Sequence, residues 1–430
     1  MENRKEVRFE KKIKSYILKN KDIPVLSFDY EKTIDKSKFG LPLYKIKHIK
    51  ILRKDLLPPG YPETIDSSKL EKWIKNRKIP RNRKNMENII NFRANELEID
   101  NGSFMNYIEI SYGLSLNDSY WILPKEKENL LWKDYNLYEN KFSEIISLVA
   151  FGARLNELSD TYNRNIRTSP EYTTDGMLAK CWTVLDDEIH LLKKSTEKFQ
   201  KEAYTEYYMC QIAELMGFEY INYDIIKYHD NVVCSCKLFT NENIGFIPMF
   251  YALGENQYKK GGKLLEAISK IYGEEKFEDL MVFDSLIYNK DRHLGNLGML
   301  IDNNTLKILK AAPIFDNGTS ILSFINEDTQ IENVFKRYVS AFEIDFDILS
   351  NIFVKERHIE GLERLKDFEF KRHNEFNLEE NILKKAEDFI QKRAKLMINQ
   401  LDKKLEKLIS NKKERPTRSR SRINNRENSR

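Results

Sequence analysis

Asp291-Arg292-His293-Leu294-Gly295-Asn296, followed by Ile314-Phe315-Asp316-Asn317-Gly318, is the stretch that decides how this chain is read. Transfer of a phosphoryl group needs one carboxylate to orient and deprotonate the attacking hydroxyl, and two oxygen ligands for the magnesium that rides on the phosphates. Asp291, Asn296 and Asp316 supply those groups in that order. Phe277 to Tyr288 carries apolar residues at helical intervals, which predicts a helix that buries one face and delivers Asn289-Lys290-Asp291 at its C-terminal end. Leu297 to Ile301 and Leu306 to Lys310 flank the polar turn Asp302-Asn303-Asn304-Thr305, predicting two short strands between the loop asparagine and the second acidic residue.

The D-x-x-x-x-N spacing of Asp291 and Asn296 is that of a kinase catalytic loop, and Asp316-Asn317-Gly318 stands where D-F-G is usual. Asn289-x-Asp291-x-His293-x-x-Asn296 resembles the catalytic loop of HipA-like serine/threonine kinases, a group related to the phosphatidylinositol kinases, whose D-R-H-x-x-N it also matches. The resemblance implies an α+β, bilobal protein-kinase-like catalytic domain that uses ATP and Mg2+. It implies Asp291 as catalytic base, with Asn289 and His293 in the same loop, and Asn296 and Asp316 as magnesium ligands. His293 either lies near the phosphates or braces the loop, and bracing is the commoner role of such a histidine. Asp284 either anchors the loop from the preceding helix or faces solvent.

A kinase also needs a lysine, a helix glutamate and a loop over the phosphates. Met177 to Leu185 and Glu188 to Lys193, around Asp186-Asp187, read as a β-hairpin in which Ile189, Leu191 and Lys193 share a face. Lys193 is therefore the favoured ATP lysine, Lys194 points away, and Lys180 on the first strand is the alternative. Glu206, on the amphipathic stretch Glu202 to Met216, is either the ion-pair partner of Lys193 or an ordinary exposed glutamate. No G-x-G-x-x-G precedes the hairpin. Instead, Arg167 to Gly176 offers Ser169, Thr173, Thr174 and the flexible joint Gly176, a hydroxyl-rich loop able to cradle phosphates and equally typical of turns. HipA-like kinases share such a glycine-poor loop, and the resemblance implies autophosphorylation on a loop serine, for which Ser169 is the first choice. Gly261-Gly262-Lys263 is no Walker loop, since Leu264 replaces the magnesium-binding hydroxyl and Gln257 the first glycine. Asn231 to Phe239 reads as a strand leading to the interlobe hinge. Cys234 and Cys236 lack a second pair at zinc spacing and read as packing residues.

The expected organisation is an N-terminal accessory domain over 1–135, a kinase N-lobe and hinge over 136–260, a C-lobe over 261–411, and a disordered basic tail over 412–430. The C-lobe closes with an amphipathic helix over Glu379 to Ile409, whose stripe is Ile382, Ala386, Phe389, Met397, Leu401, Leu405 and Leu408. The tail carries eight Lys/Arg against two Glu, so it accounts for +6 where the whole chain is +5, and the body is near neutral. That excludes a strongly basic nucleic-acid binder and leaves weak, salt-sensitive contact through the tail. A second basic cluster, residues 69–84 around Trp73, reads as a solvated helix face or as a surface for an acidic partner. With later Gly113 to Trp121, in which Ser115, Asn117 and Tyr120 stand out as contact residues, it resembles the N-terminal region of HipA-like proteins from Gram-positive bacteria. Four cysteines, no signal peptide and no apolar run of spanning length predict a cytoplasmic protein without membrane contact. The family resemblance adds a protein substrate and an antitoxin-like helix-turn-helix partner. Two rival readings remain: a phosphoinositide kinase, and an inactive kinase fold serving as a binding module.

Overall fold

The computed structural model describes residues 9–35, 41–61, 63–80, 83, 85, 87, 90, 99–100, 102–153, 168–196, 200–254, 261–334 and 338–413. Arg167 and the tail beyond 413 lie outside them. The fold mixes antiparallel sheets with helices.

The first sheet is built from β1 (Phe9–Asn20), β2 (Ile23–Asp35), β3 (Pro42–Ile51) and β4 (Tyr120–Pro124), in the order β3-β2-β1-β4. Alternation along the strands sends Tyr16, Leu18, Phe28, Tyr30 and Ile46 into one core. Helix α1 (Ser67–Arg77) closes that core with Leu70, Trp73 and Ile74. Its start is fixed by Asp66, whose carboxylate accepts the Lys69 backbone N–H at 2.8 Å.

The second sheet runs β5 (Lys180–Leu185), β6 (Glu188–Lys194), β8 (Asn231–Lys237) and β7 (Tyr223–Tyr228). Both of its hairpins turn through two residues of positive φ, Asp186-Asp187 and His229-Asp230, the backbone that a right-twisted two-residue hairpin requires. Helix α2 (Glu202–Leu215) packs on β7 and β8.

A third sheet joins β9 (Ile244–Pro248), β10 (Gly298–Asp302) and β11 (Ile308–Ala311) in the order β11-β10-β9. The sequence anticipates β10 and β11 but not β9, which pairs with β10 from some fifty residues upstream. Gly298 permits this approach, because a Cβ there would stand 2.1 Å from the Ile247 carbonyl oxygen.

Below lie α3 (Gly262–Tyr272), α4 (Glu274–Ile287), α5 (Phe346–Phe353) and α6 (Glu380–Lys413). Helix α4 is expected to bury one face; instead Leu280, Met281, Val282, Phe283, Leu286 and Ile287 are all buried, because α3, α5 and α6 pack around it. Such an enclosed helix is a rigid mount for the loop that follows it. The stripe of α6 is buried from Ile382 through Leu401, whereas Leu408 is 57% exposed where the helix outruns the core. Arg393 pins α6 to the end of α4: it donates to the Ser285 carbonyl at 3.0 Å, pairs with Asp347 and lies 4.8 Å from the Tyr288 ring centroid. No helix among the described residues is long and apolar enough to cross a membrane.

Candidate active site

Helix α4 ends at Tyr288, which turns left-handed at φ 53° and releases the chain into the loop. The loop then folds on itself. The Asn289 side-chain oxygen accepts the Asp291 N–H at 3.0 Å, the Asn296 amide donates to the Asp291 carbonyl at 2.9 Å, and the His293 ring accepts the Gly295 N–H at 3.0 Å. Asn289 is fully buried and acts as a brace, and so does His293. The Asp291 carboxyl faces the open cavity. Loss of water around it raises its pKa, which His293 opposes and the Asp316 charge reinforces.

Arg292 holds the loop to the rest of the site, a role the sequence reading did not assign. Its guanidinium is 1% exposed and grips Asp284 through Nε and Nη2 at 3.0 to 3.3 Å. It also donates to the Asn296 carbonyl at 2.9 Å, to the Phe315 carbonyl, and to the Asn317 side-chain oxygen at 2.7 Å. One cation therefore ties α4, the Asp291 loop and the Asp316 turn together. Asp284 is the anchor and not a surface residue; burial lifts its pKa and the Arg292 charge opposes the rise.

Across the cavity, Lys193 on β6 reaches Glu206 of α2 at 2.8 Å and Asp316 at 2.7 Å. The second Glu206 oxygen accepts the Asn317 N–H at 2.7 Å, which closes the circuit between sheet, helix and turn. Glu206 is 2% exposed, so the exposed reading of it does not hold. Asp316 sits at φ 58°, with its N–H donated to the Tyr223 hydroxyl at 3.1 Å. Burial disfavours its charge, but the Lys193 and Lys180 ammoniums outweigh that cost and hold the carboxyl well below the usual range. Burial also works against the Lys193 charge, and Asp316 and Glu206 together more than restore it. Burial raises Glu206, with Lys193 opposing.

These groups line one cavity of about 690 Å³. Leu116, Trp182, Leu191, Leu238, Phe239 and Phe315 provide apolar wall, while Lys180, Lys193, Asp291, Asn296 and Asp316 provide charge and polarity. Phe239 and Phe315 pack with Phe246 at centroid distances of 5.5 to 5.7 Å. Lys180 is 7% exposed there, and burial lowers its pKa to about 8 despite the attraction of Asp316. Oxygen donors suit magnesium. The Asn296 amide nitrogen is used within the loop and one Asp316 oxygen pairs with Lys193, so one oxygen of each is left for a cation. The donor set fits Mg2+.

The family profile of the HipA-like C-terminal domain matches residues 173–405, more than half of the chain. The chain belongs to the HipA-like family. It is 31% identical over 147 residues to the serine/threonine-protein kinase CtkA of Helicobacter pylori, a match covering 30% of this chain and 44% of that protein. The matched stretch thus spans less than half the length of this curated relative. The crystal structure of the Helicobacter pylori proinflammatory kinase CtkA aligns at a TM-score of 0.45 and 18% identity, covering 54% of this chain and 92% of that one. HipA of Shewanella oneidensis MR-1, solved with HipB and operator DNA, aligns at 0.49 and 12% identity, covering 88% and 96%.

Of the loop residues expected in this HipA-like chain, Thr173, Thr174 and Gly176 line the cavity. Ser169 does not. It is fully buried behind the loop with its hydroxyl bonded to Glu171, because Pro170–Thr173 winds into a 3-10 turn that carries Ser169 inward. Cys234 and Cys236 are buried in β8. The basic cluster is not simply a solvated face: Arg77 pairs with Asp118, and Arg83 is buried against the carbonyls of Thr174, Asp175 and Gly176. Ser115 and Asn117 line the cavity, while Tyr120 is packed in the N-terminal core.

Proposed function

We propose that this HipA-like protein is an ATP- and Mg2+-dependent serine/threonine protein kinase. The observation that carries the reading is Lys193 bridging Glu206 and Asp316 in a cavity that also holds Asp291 and Asn296. Phosphoryl transfer needs positioning and charge compensation more than covalent participation, and each described group has a role in that. The apolar wall of Leu238, Phe239 and Phe315 takes the adenine. Lys193 and Lys180 meet the phosphate oxygens, with Glu206 fixing Lys193 and the Thr173–Gly176 segment covering them. Asp291 accepts the proton of the substrate hydroxyl as its oxygen attacks the γ-phosphorus and the bond to the leaving diphosphate oxygen breaks. Its raised pKa brings it closer to the working pH of a general base. Asn296 and Asp316 would hold magnesium, which would supply compensation for charge on the phosphates.

A protein substrate is proposed on the likeness to CtkA, and an antitoxin-like helix-turn-helix partner on the likeness to HipA solved with HipB. Cytoplasmic residence and weak nucleic-acid contact through the tail stand as proposals from composition. Autophosphorylation at Ser169 requires the Ser169–Glu171 bond to break and the segment to swing outward, after which the added charge would repel ATP phosphates. The four domains are proposed at 1–135, 136–260, 261–411 and 412–430, with the catalytic pair forming two lobes around the cavity.

The reading is tested by giving purified protein Mg-ATP labelled in the γ-phosphate, together with a cell lysate or phosphoinositide vesicles. Labelled protein with unlabelled lipid supports it. Labelled lipid alone would make the protein a phosphoinositide kinase, and no label in any acceptor would favour a binding module.

A further inference from the structure

The phosphate-covering segment is gripped from behind by a residue of the N-terminal region. Arg83 is 3% exposed and donates Nε to the Gly176 carbonyl at 2.8 Å and Nη2 to the carbonyls of Thr174 and Asp175 at 2.8 and 2.7 Å. Three consecutive peptide oxygens thus turn toward one guanidinium. In a trans peptide the N–H points opposite to the C=O, so the amides of Asp175, Gly176 and Met177 are turned away from Arg83. Residues 174–177 line the cavity and Arg83 does not, so the segment lies between the two and presents its amide side to the cavity. Successive amides facing one way form an anion-binding concavity; here the Gly176 N–H donates to the Asp175 carboxylate at 2.7 Å, the place a phosphate oxygen would take. Lys180 completes it, packed so close beneath Gly176 that a Cβ there would stand 2.2 Å from its amine.

Arg83 is itself held. Its N–H bonds the Pro80 carbonyl at 3.1 Å, the Ile79 N–H bonds the Tyr172 carbonyl at 2.9 Å, and Ile79 is buried in the core under β1–β4. The Thr173 hydroxyl donates to the Leu114 carbonyl at 2.7 Å, a second tie between the segment and the N-terminal region.

We infer that Arg83 is a positioning residue for ATP use: a latch through which the N-terminal sheet unit sets residues 174–177 with their amides toward the triphosphate. The N-terminal region is thus part of the nucleotide site, and anything that pulls Ile79 and Arg83 from their seats weakens ATP binding. The inference rests on the proposed kinase reading.

The test compares full-length wild type, Arg83→Ala and Arg83→Lys, the last retaining charge but unable to span three carbonyls. In nucleotide-free protein, hydrogen exchange of amides 173–178 should accelerate in both variants while α4 keeps its protection. KM for ATP and the Mg-ATP Kd should rise by about tenfold or more, the scale of reordering one or two residues on binding, with kcat at saturating ATP retained. Guanidinium added to Arg83→Ala should recover part of the affinity. Unchanged segment exchange and unchanged KM would overturn the latch, as would exchange raised throughout the protein with KM unaltered. Wild type that fails to bind Mg-ATP would sink the kinase reading first, and the latch with it.

Discussion

The Lys193 amine and the Asp316 carboxylate lie 2.7 Å apart although 123 residues separate them in the chain. Glu206 holds the same amine from the other side at 2.8 Å, and its second oxygen holds the turn that carries Asp316. Sheet, helix and turn are therefore set by one cation. Lys193 takes one Asp316 oxygen and leaves the other for a cation.

Lys193→Ala should raise KM for ATP strongly and leave Asp316 without its principal counter-charge. Removing one member of a buried charged cluster costs about 3–5 kcal/mol, so a fall in the melting temperature should accompany the kinetic loss. If Lys180→Ala gave the larger kinetic loss, the assignment of the two lysines would be reversed.

Lys180 makes the site sensitive to alkali. Its pKa is lowered from the ordinary 10.5 to about 8 by burial, so its charge is present below about pH 8 and lost above. ATP affinity should decline as pH rises through that value, and Lys180→Met should flatten the dependence. For stability the sign is opposite. The unfolded chain keeps this proton up to about 10.5, so the nucleotide-free protein should gain stability from Lys180 between about pH 8 and 10.5. Titrations of Mg-ATP affinity and of melting temperature against pH check both signs.

Arg292→Met should unfold more readily than wild type, because it leaves the Asp284 carboxylate buried without its cation, at a cost of about 3–5 kcal/mol. The double variant Arg292→Met with Asp284→Asn should recover part of that stability but not the activity, since the carbonyls of Asn296 and Phe315 still lack their donor. Denaturant melts of the two single variants and the double variant measure the coupling. Equal stability of Arg292→Met and wild type would remove the loop-anchoring role.

Removal of residues 412–430 should leave phosphoryl transfer within a few-fold, because the buried stripe of α6 ends before them. Retention on nucleic acid at low salt should fall. A collapse in solubility on truncation would show that the tail docks on the body.

The residues gathered at the cavity were legible where their signals are local. Asp291 and Asn296 stand at a fixed spacing and Asp316 opens a short motif, and strand alternation put Lys193 at the cavity, although Lys194, expected to point away, also lines it. What escaped depends on distant partners. β9 has no signal of its own until β10 arrives to pair with it, and the N-terminal sheet closes only when β4 pairs with β1, about a hundred residues away. Arg292 was assigned no role, and Arg83 lay in a basic cluster read as a solvated face or a surface for an acidic partner, since nothing local tells a buried arginine from a solvated one. Ser169 was misjudged for a related reason: a hydroxyl in a polar loop reads as exposed, and only the 3-10 turn at Pro170 carries it inward.

The central claim is that Asp291 is the base of a phosphoryl-transfer site completed by Asn296 and Asp316. The most direct measurement is mass spectrometry of phosphate incorporated into protein, its own or a lysate acceptor, after incubation with Mg-ATP, for wild type, Asp291→Asn and Asp316→Asn. The account predicts incorporation by wild type, a loss of about 10²-fold or more in Asp291→Asn with Mg-ATP affinity nearly intact, and loss of both transfer and affinity in Asp316→Asn. Incorporation by Asp291→Asn at the wild-type rate would contradict it.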